Sequence, residues 1–416
     1  MKHLICLTTS YPQEANLLAG SFVLSLNQVY ARAGWMPKVI TFNRGDKRRT
    51  SQQPTRQFGS LNEEITLSPT WANSVTDGAP DHISAHPLLS LCTMPLNAWG
   101  LRRAYHQVIK SHQELHDVPS VAHWAIPSGW IARHQRPIVY CHGGDIALLE
   151  RLPLGAVIAR SLVKSAKGLV CVSDDLQSRL LKLIATQESV HRHKIYSLPM
   201  GIDDPEPSRA HLDRYRALSQ DKVVLATVGR FSEIKGYHLL VESLGALSFQ
   251  ERDRLLWIAG GVGPELSKIK HRAKTLGVNM MSEGVISPPQ RDALYQVCDL
   301  FIAPSCRVDY RVEGMPLALR EAALSGCQVM TTSLGGGHEV VSHLPDSSVI
   351  TVDPEIRSLK EALQAWLKTH KTSPDDLERC TNLKREVSST ARALWAWSHL
   401  GPKHLEIFEY LISRPY

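Results

Sequence analysis

The sequence predicts an α/β protein made of two doubly wound domains that face each other across a cleft. Three observations carry this. A strand, a helix and a second strand follow one another within the first forty or so residues. The same rhythm restarts after a Pro- and Asp-rich segment, "IYSLPMGIDDPEPSRAH". The buried strands of both halves end in loops rich in Gly, His and charge. A strand–helix–strand unit of this length implies a parallel pair. Ligands of such sheets bind beyond the carboxyl ends of the strands.

In chain order, "HLICLTTS" is a short buried strand that ends in polar residues. "GSFVLSLNQVYARAG" is a helix, with Phe22, Leu26, Val29 and Tyr30 at helical spacing and Gly34 as its stop. "PKVITF" is the next strand. Residues 43–60 are polar and basic and read as a surface loop, and "EEITLSPTW" reads as a strand. Residues 68–100 mix Pro, Ser and Asn with scattered apolar positions and yield no assignment. "SVAHWAIPSG" and "RPIVYCHGGD" read as strands running into loops, and "AKGLVCVSDDLQSRLLKLI" as a strand and its helix. The domain boundary falls at 203/204. "DKVVLATVGRFSEIKGYHLLVESLGAL" then repeats the strand–loop–helix pattern. "RLLWIAGGVG", "CDLFIAPS", "GCQVMTTS" and "SSVITVDP" supply further strands, and 316–326 a helix. There is no internal repeat.

Composition sets outer limits. Of 416 residues, 43% are hydrophobic and 21% charged, the mix of an ordinary globular protein and not of collagen, a coiled coil or a disordered chain. The net charge of +7 suits an anionic substrate, a phosphate-rich cofactor or an anionic membrane surface, without demanding nucleic acid. One basic cluster stands out: Arg44, Lys47, Arg48, Arg49 and Arg56. None of the eight cysteines has C-x-x-C spacing, and several lie in apolar runs. They read as reduced thiols of a cytoplasmic protein, with no zinc site. The N-terminal apolar run is too short for a signal peptide. No stretch approaches the ~18 apolar residues of a membrane span.

Three stretches carry chemistry. In "EGMPLALREAALSG", Pro316 is suited to the first position of a helix. That puts Glu313 in the preceding loop, Glu321 in the second turn, and free N–H groups around Gly314, Met315, Pro316 and Leu317 where an anion would sit. Sugar hydroxyls could meet a carboxylate on either side. Taken alone, the pair reads better as a solvated helix residue and a dipole partner. In "VGRFSEIKGYHLLVESL", Arg230 and Lys235 flank the loop after a strand, where two cations neutralise a diphosphate without metal. An ordinary charged surface loop is the plainer alternative. In "YCHGGDI", His142 and Asp145 flank two glycines that allow close approach of a ligand. A strand-end turn with a satisfied histidine fits the same letters.

Together and in order, the stretches resemble the GT-B, family 4, retaining glycosyltransferases. The resemblance rests on "AGSF" (19–22), "HWAIPSG" (123–129), "HGGD" (142–145), "VCVSDDL" (170–176), "LPMGID" (198–203), "VGRFSEIKG" (228–236), "EGMPLALREAALSG" (313–326) and "TTSLGGGHEVV" (331–341). It spans nearly the whole chain, firmly over 223–341 and thinly over 43–118. It implies an acceptor-binding domain at 1–203, a donor-binding domain at 204–390, and terminal helices at 391–416 that return to the first domain. Glu313 then meets the donor sugar, Glu321 the ribose, and Arg230 and Lys235 the diphosphate. His142 touches the sugar near the reacting centre, Gly20 admits phosphate to the backbone, and Val285 and Ile286 hold the base. Met315–Pro316 stands where Phe–Gly is commoner, and the N-terminal loop has one glycine where many members have two.

The resemblance further implies a nucleotide-sugar donor, UDP- or GDP-linked, and a glycan or lipid-linked acceptor. It points to bacterial surface polysaccharide synthesis, with possible contact at the inner face of the membrane. The absence of any D-x-D triplet speaks against paired aspartates holding a metal on the diphosphate, so no obligatory cofactor is expected. A silent scaffold in an assembly complex and a sugar-nucleotide epimerase remain as alternatives. A dinucleotide oxidoreductase fails, because no G-x-G-x-x-G follows the first strand.

Overall fold

The computed structural model describes residues 2–13, 20–43, 51–58, 61–68, 87–111, 118–184, 192–219, 222–309, 312–313, 316–369 and 374–414. The chain divides into two units: residues 1–201 with 397–416, and residues 202–396. The second crossing therefore falls at Ala396–Trp397, where the sequence reading put it at 391.

The first unit is built on an eight-stranded sheet. Its strands are β1 (Lys2–Leu7), β2 (Trp35–Phe42), β3 (Ser51–Phe58), β4 (Leu61–Ser68), β5 (Ser120–His123), β6 (Ile138–Cys141), β7 (Gly168–Cys171) and β8 (Ile195–Ser197). Their order is β3-β4-β2-β1-β5-β6-β7-β8, parallel throughout except for β3 against β4. The central strands are continuous apolar runs because helices cover both faces. Leu4, Ile5, Cys6 and Leu7 are fully buried, as are Val139, Tyr140 and Cys141.

β1 and β2, with the Ser21–Arg32 helix between them, lie where the sequence predicts. The 43–60 loop needs correction. Residues 51–58 form β3, and 44–50 lie outside the described residues. "SQQPTRQF" carries no strand pattern, and β4 supplies the pairing. An edge position tolerates Pro54, and the register slips between Gln53 and Arg56. Residues 87–111 form a helix that Pro95 disguises in the sequence.

The Trp397–Ser413 helix belongs to the first unit. Phe408 packs on Tyr30 at 4.6 Å and on Trp35 at 5.1 Å. The chain re-enters beside Gly201, where a Cβ would stand 2.3 Å from Trp397 Cδ2.

The second unit holds β9 (Val223–Val228), β10 (Leu255–Gly260), β11 (Met280–Gly284), β12 (Leu300–Ala303), β13 (Gln328–Thr332) and β14 (Val349–Val352). All are parallel, in the order β11-β10-β9-β12-β13-β14. In each sheet the chain order reverses beside the first strand, between β1 and β5 and between β9 and β12. A reversal of this kind leaves a crevice at the carboxyl ends. The loops that carry His142, Lys235 and Glu313 follow strands at or next to these two points.

Candidate active site

In the second unit, Gly229, Arg230 and Phe231 leave the end of β9. Phe231 is pinned on both sides: its N–H donates to Val262 O at 3.0 Å, and its carbonyl accepts from Glu265 N at 3.0 Å. The loop then makes one tight turn, Glu233–Lys235, and Gly236 turns it into the Tyr237–Gly245 helix. Gly236 has φ 65°, and a Cβ there would sit 1.8 Å from Pro304 O, so only glycine fits. The turn brings Lys235 back over the sheet. There its ammonium pairs with the carboxylate of Glu313.

Glu313 reaches this place from the loop after β12. Its other carboxylate oxygen accepts the hydroxyl of Ser305, and its main-chain carbonyl accepts from Gly336 N at 3.0 Å. Glu313 is 14% exposed and Lys235 24%, so the pair borders solvent without being immersed in it. Beneath it lies a small recess whose walls include Val228, Tyr237, Ala303 and Pro316. The Tyr237 hydroxyl is pushed well above its ordinary value, by burial first and then by the charge of Glu313. Arg230 stands exposed at the start of the same loop.

Pro316 is extended, with φ −71° and ψ 97°, and precedes the Leu317–Leu324 helix instead of opening it. The helix therefore starts one residue later than its sequence suggests. Gly314 and Met315 lie outside the described residues. Glu321 points into a second polar cluster. Arg291 donates to it at 2.8 Å and the Tyr295 hydroxyl at 3.3 Å, while Arg291 also holds Asp292 at 2.8 Å. Burial raises the Glu321 carboxyl, and the Arg291 charge opposes that rise. The sequence reading did not name Ser305, Arg291 or Tyr295. Arg291 and Tyr295 share one face of the Pro288–Val297 helix at i,i+4 spacing, but nothing local links that helix to Glu321 or Ser305 to Glu313.

Val285 and Ile286 follow β11. Val285 is 68% exposed, while Ile286 is buried over Gly260, where a Cβ would meet its Cδ1 at 2.4 Å. The Gly284 carbonyl accepts from Gly261 N at 2.6 Å, which ties this turn to the end of β10.

In the first unit, Gly20 has φ 73°, and a Cβ there would lie 2.3 Å from Ser10 O. It is glycine because the helix start presses on the chain leaving β1. His142, after β6, packs against Phe22 and Trp124, with ring centroids 4.8 Å away in each case. Its pKa is pushed down to about 3, by burial and then by the charge of His404. Asp145 does not reach outward. Its carboxylate is 97% buried and accepts four main-chain N–H groups: Ala125 at 2.7 Å, Gly143 at 2.9 Å, Ile146 at 3.0 Å and His142 at 3.1 Å. It ties the loop after β6 to the turn after β5 and fixes the His142 backbone. Among the described residues, no three His, Cys, Asp or Glu side chains gather as a metal site, and no helix is long and apolar enough to cross a membrane.

Comparison with known proteins bears on this geometry. Residues 209–386 match the family described as glycosyl transferases group 1. Mannosylfructose-phosphate synthase of Agrobacterium fabrum is 27% identical over 244 residues, 55% of this chain and 50% of that protein. WcaL of Escherichia coli, a glycosyltransferase named for colanic acid biosynthesis, is 28% identical over 278 residues, 61% of this chain and 63% of that one. The chain thus spans between half and two thirds of the length of these relatives. Among solved structures, sucrose-phosphate synthase from Thermosynechococcus elongatus superposes with a TM-score of 0.70 at 16% identity, over 99% of this chain and 100% of that one. HepE of Anabaena, in complex with UDP and glucose, superposes with a TM-score of 0.66 at 14% identity over the same shares. At these identities the likeness is one of fold, and the fold is GT-B. Over residues 209–386, this chain is similar to the glycosyl transferases group 1 family.

Proposed function

We propose that this protein is a retaining glycosyltransferase of family 4. It moves a hexosyl group from a UDP- or GDP-sugar to a glycan or lipid-linked acceptor in the synthesis of a bacterial surface polysaccharide. The observation that carries the reading is the Lys235–Glu313–Ser305 cluster at the crevice beyond β9 and β12. A cation and a carboxylate held side by side at a half-dry strand end suit a ligand with a phosphate next to sugar hydroxyls.

In this reading the donor's diphosphate lies against Lys235, Arg230 and the start of the Leu317–Leu324 helix. The Glu313 carboxylate accepts hydrogen bonds from donor-sugar hydroxyls. Glu321, held by Arg291 and Tyr295, accepts those of the ribose, and the base lies along Val285–Ile286. As the glycosidic bond breaks, negative charge grows on the leaving phosphate, and prepositioned cations stabilise that growth more than the ground state. The acceptor hydroxyl attacks from the same side, and the departing phosphate takes its proton, so the protein need supply no base. His142 orients the sugar. Asp145 acts through it, by holding the His142 backbone. Gly20 closes the loop beneath.

The relatives support the surface-polysaccharide setting: WcaL carries colanic acid biosynthesis in its name. A cytoplasmic enzyme at the inner leaflet also fits the surface of the Pro87–Ser111 helix. That helix has no acidic residue, and its exposed Trp99 and Leu96 stand beside Arg102 and Arg103.

The test is a panel of UDP- and GDP-sugars, with and without sugar and lipid-linked acceptors, followed by mass and anomeric analysis of the product. Transfer with retained configuration is expected. An inverted product overturns the retaining mechanism. A changed sugar nucleotide with no acceptor consumed points instead to an epimerase. Absence of nucleotide binding throughout points to a silent scaffold.

A further inference from the structure

His142 has a partner in His123. Its Nε2 stands 3.0 Å from His123 Nδ1. The two rings are 20° from parallel with centroids 5.2 Å apart. That separation matches the N···N distance plus one ring radius on each side. The bond therefore runs in the plane of both rings, along the nitrogen lone pair.

One proton fills such a bond. Burial holds both imidazoles well below their ordinary range, so both are neutral at pH 7, and two arrangements remain. In the first, His123 Nδ1–H donates to His142 Nε2, and the proton of His142 sits on Nδ1. In the second, His142 Nε2–H donates, and the proton of His123 sits on its own Nε2.

The surroundings choose between them. His123 is fully buried, and its Nε2 has no hydrogen-bond partner among the described residues. The nearest polar chain is already directed elsewhere. Pro199 O can only accept, so His404 donates to it from Nε2 at 3.0 Å. His404 Nδ1 then accepts the Tyr140 hydroxyl at 3.1 Å, and the Tyr140 oxygen accepts from Tyr30 at 3.1 Å. Tyr140 stacks on His123, with centroids 5.1 Å apart, but its hydroxyl is committed to that chain. The second arrangement would strand an N–H donor in a dry core. The first leaves only a lone pair unfilled, and a stranded donor is the rarer fault.

We propose that His123 is a positioning residue that locks His142 in its Nδ1–H form, so that His142 meets a sugar hydroxyl as a hydrogen-bond donor. This rests on the reading of His142 as a sugar contact. It also means that His142 takes no proton through Nδ1 during the reaction.

The experiment uses the full chain labelled with 15N-histidine. A long-range 1H–15N spectrum at pH 7 reports the tautomer of each ring, and the His142 signals are those lost in His142→Gln. A protonated Nδ1 and a bare Nε2 are expected. The opposite tautomer overturns the proposal, whatever the variants do. In kinetics, His123→Leu removes the donor at similar volume. It should lower kcat by about 10–100-fold with the donor KM within about 3-fold. His123→Asn keeps an N–H near the Nδ1 position and should recover most of that loss. A His123→Leu protein with unchanged kcat and an unchanged His142 tautomer overturns the role. If His123→Leu fails to fold, the wild-type spectrum still decides. Normal transfer by His142→Gln alongside an Nδ1–H spectrum overturns His142 as a site residue, a result distinct from failure of the lock.

Discussion

Acid should unfold this protein through its first unit. His404 is fully buried, and its pKa is pushed down to about 4, by burial first, against the opposing bond to Pro199. In the unfolded chain it returns to about 6.5. A base with a depressed native pKa binds protons more readily when unfolded, so stability is full above pH 7 and falls as pH drops through 6.5 towards 4. Linkage gives about 2 kcal/mol lost at pH 5 from His404 alone. His123 is pushed down the same way, and His142 to about 3. His142 touches solvent, so its share is smaller. All three act in the same sense, so acid weakens the first unit by more than His404 alone accounts for. Glu321 works in the opposite sense, because burial raises its native pKa and acid relieves that strain. The assay is urea unfolding at pH 7.5, 6.5, 5.5 and 5.0, followed by tryptophan fluorescence. His404→Gln keeps a donor for Pro199 without a titrating ring. It should cost about 1–2 kcal/mol at pH 7.5 and flatten the pH slope by about 1 kcal/mol per unit between 6.5 and 5. Equal slopes in the two proteins, or wild-type stability that does not change over this range, would refute the reasoning.

Four further outcomes are expected. Glu313→Gln should keep the fold and lower transfer by about 2–3 kcal/mol in the barrier, and wild-type turnover by a folded variant would remove Glu313 from the site. Lys235→Ala should lower kcat by roughly 10²–10³, and Arg230→Lys should not recover a two-pronged phosphate contact; changes confined to the donor KM would mean uniform binding. Transfer should survive EDTA, and a loss restored by added metal would count against cations alone holding the diphosphate. Gly20→Ala should destabilise the first unit by about 2 kcal/mol or more, since it meets both a left-handed φ and the Ser10 carbonyl; a melting temperature within one degree of wild type would contradict that.

How much of this was legible in the sequence follows from which interactions are local. A parallel strand covered on both faces must be an apolar run, so β1, β6, β9 and β12 are visible as letters, and so are the polar loops at their carboxyl ends. Lys235 and Glu313 were readable as candidates for that reason. Their pairing was not, because it depends on β9 lying beside β12, 78 residues apart in the chain. The same holds for Arg291 and Glu321, 30 residues apart on two helices. β3 is hidden because its stability comes from β4 and not from its own pattern, and the 87–111 helix because Pro95 mimics a loop.

The hardest residues to read are those whose letters fit a role their surroundings refuse. Asp145 follows a histidine and two glycines, as a ligand contact would, yet four N–H groups already surround its carboxylate. Its charge serves to hold the peptide from which His142 projects. Gly20 stands where a phosphate-binding glycine would, yet its missing side chain is already required by Ser10. Neither observation removes the loop from the site. Each gives the residue a task in fixing the backbone of its own loop. His123 carries the same lesson further: a histidine inside a quoted motif acts on its neighbour's proton, which no spacing rule encodes and only the distance between two rings displays.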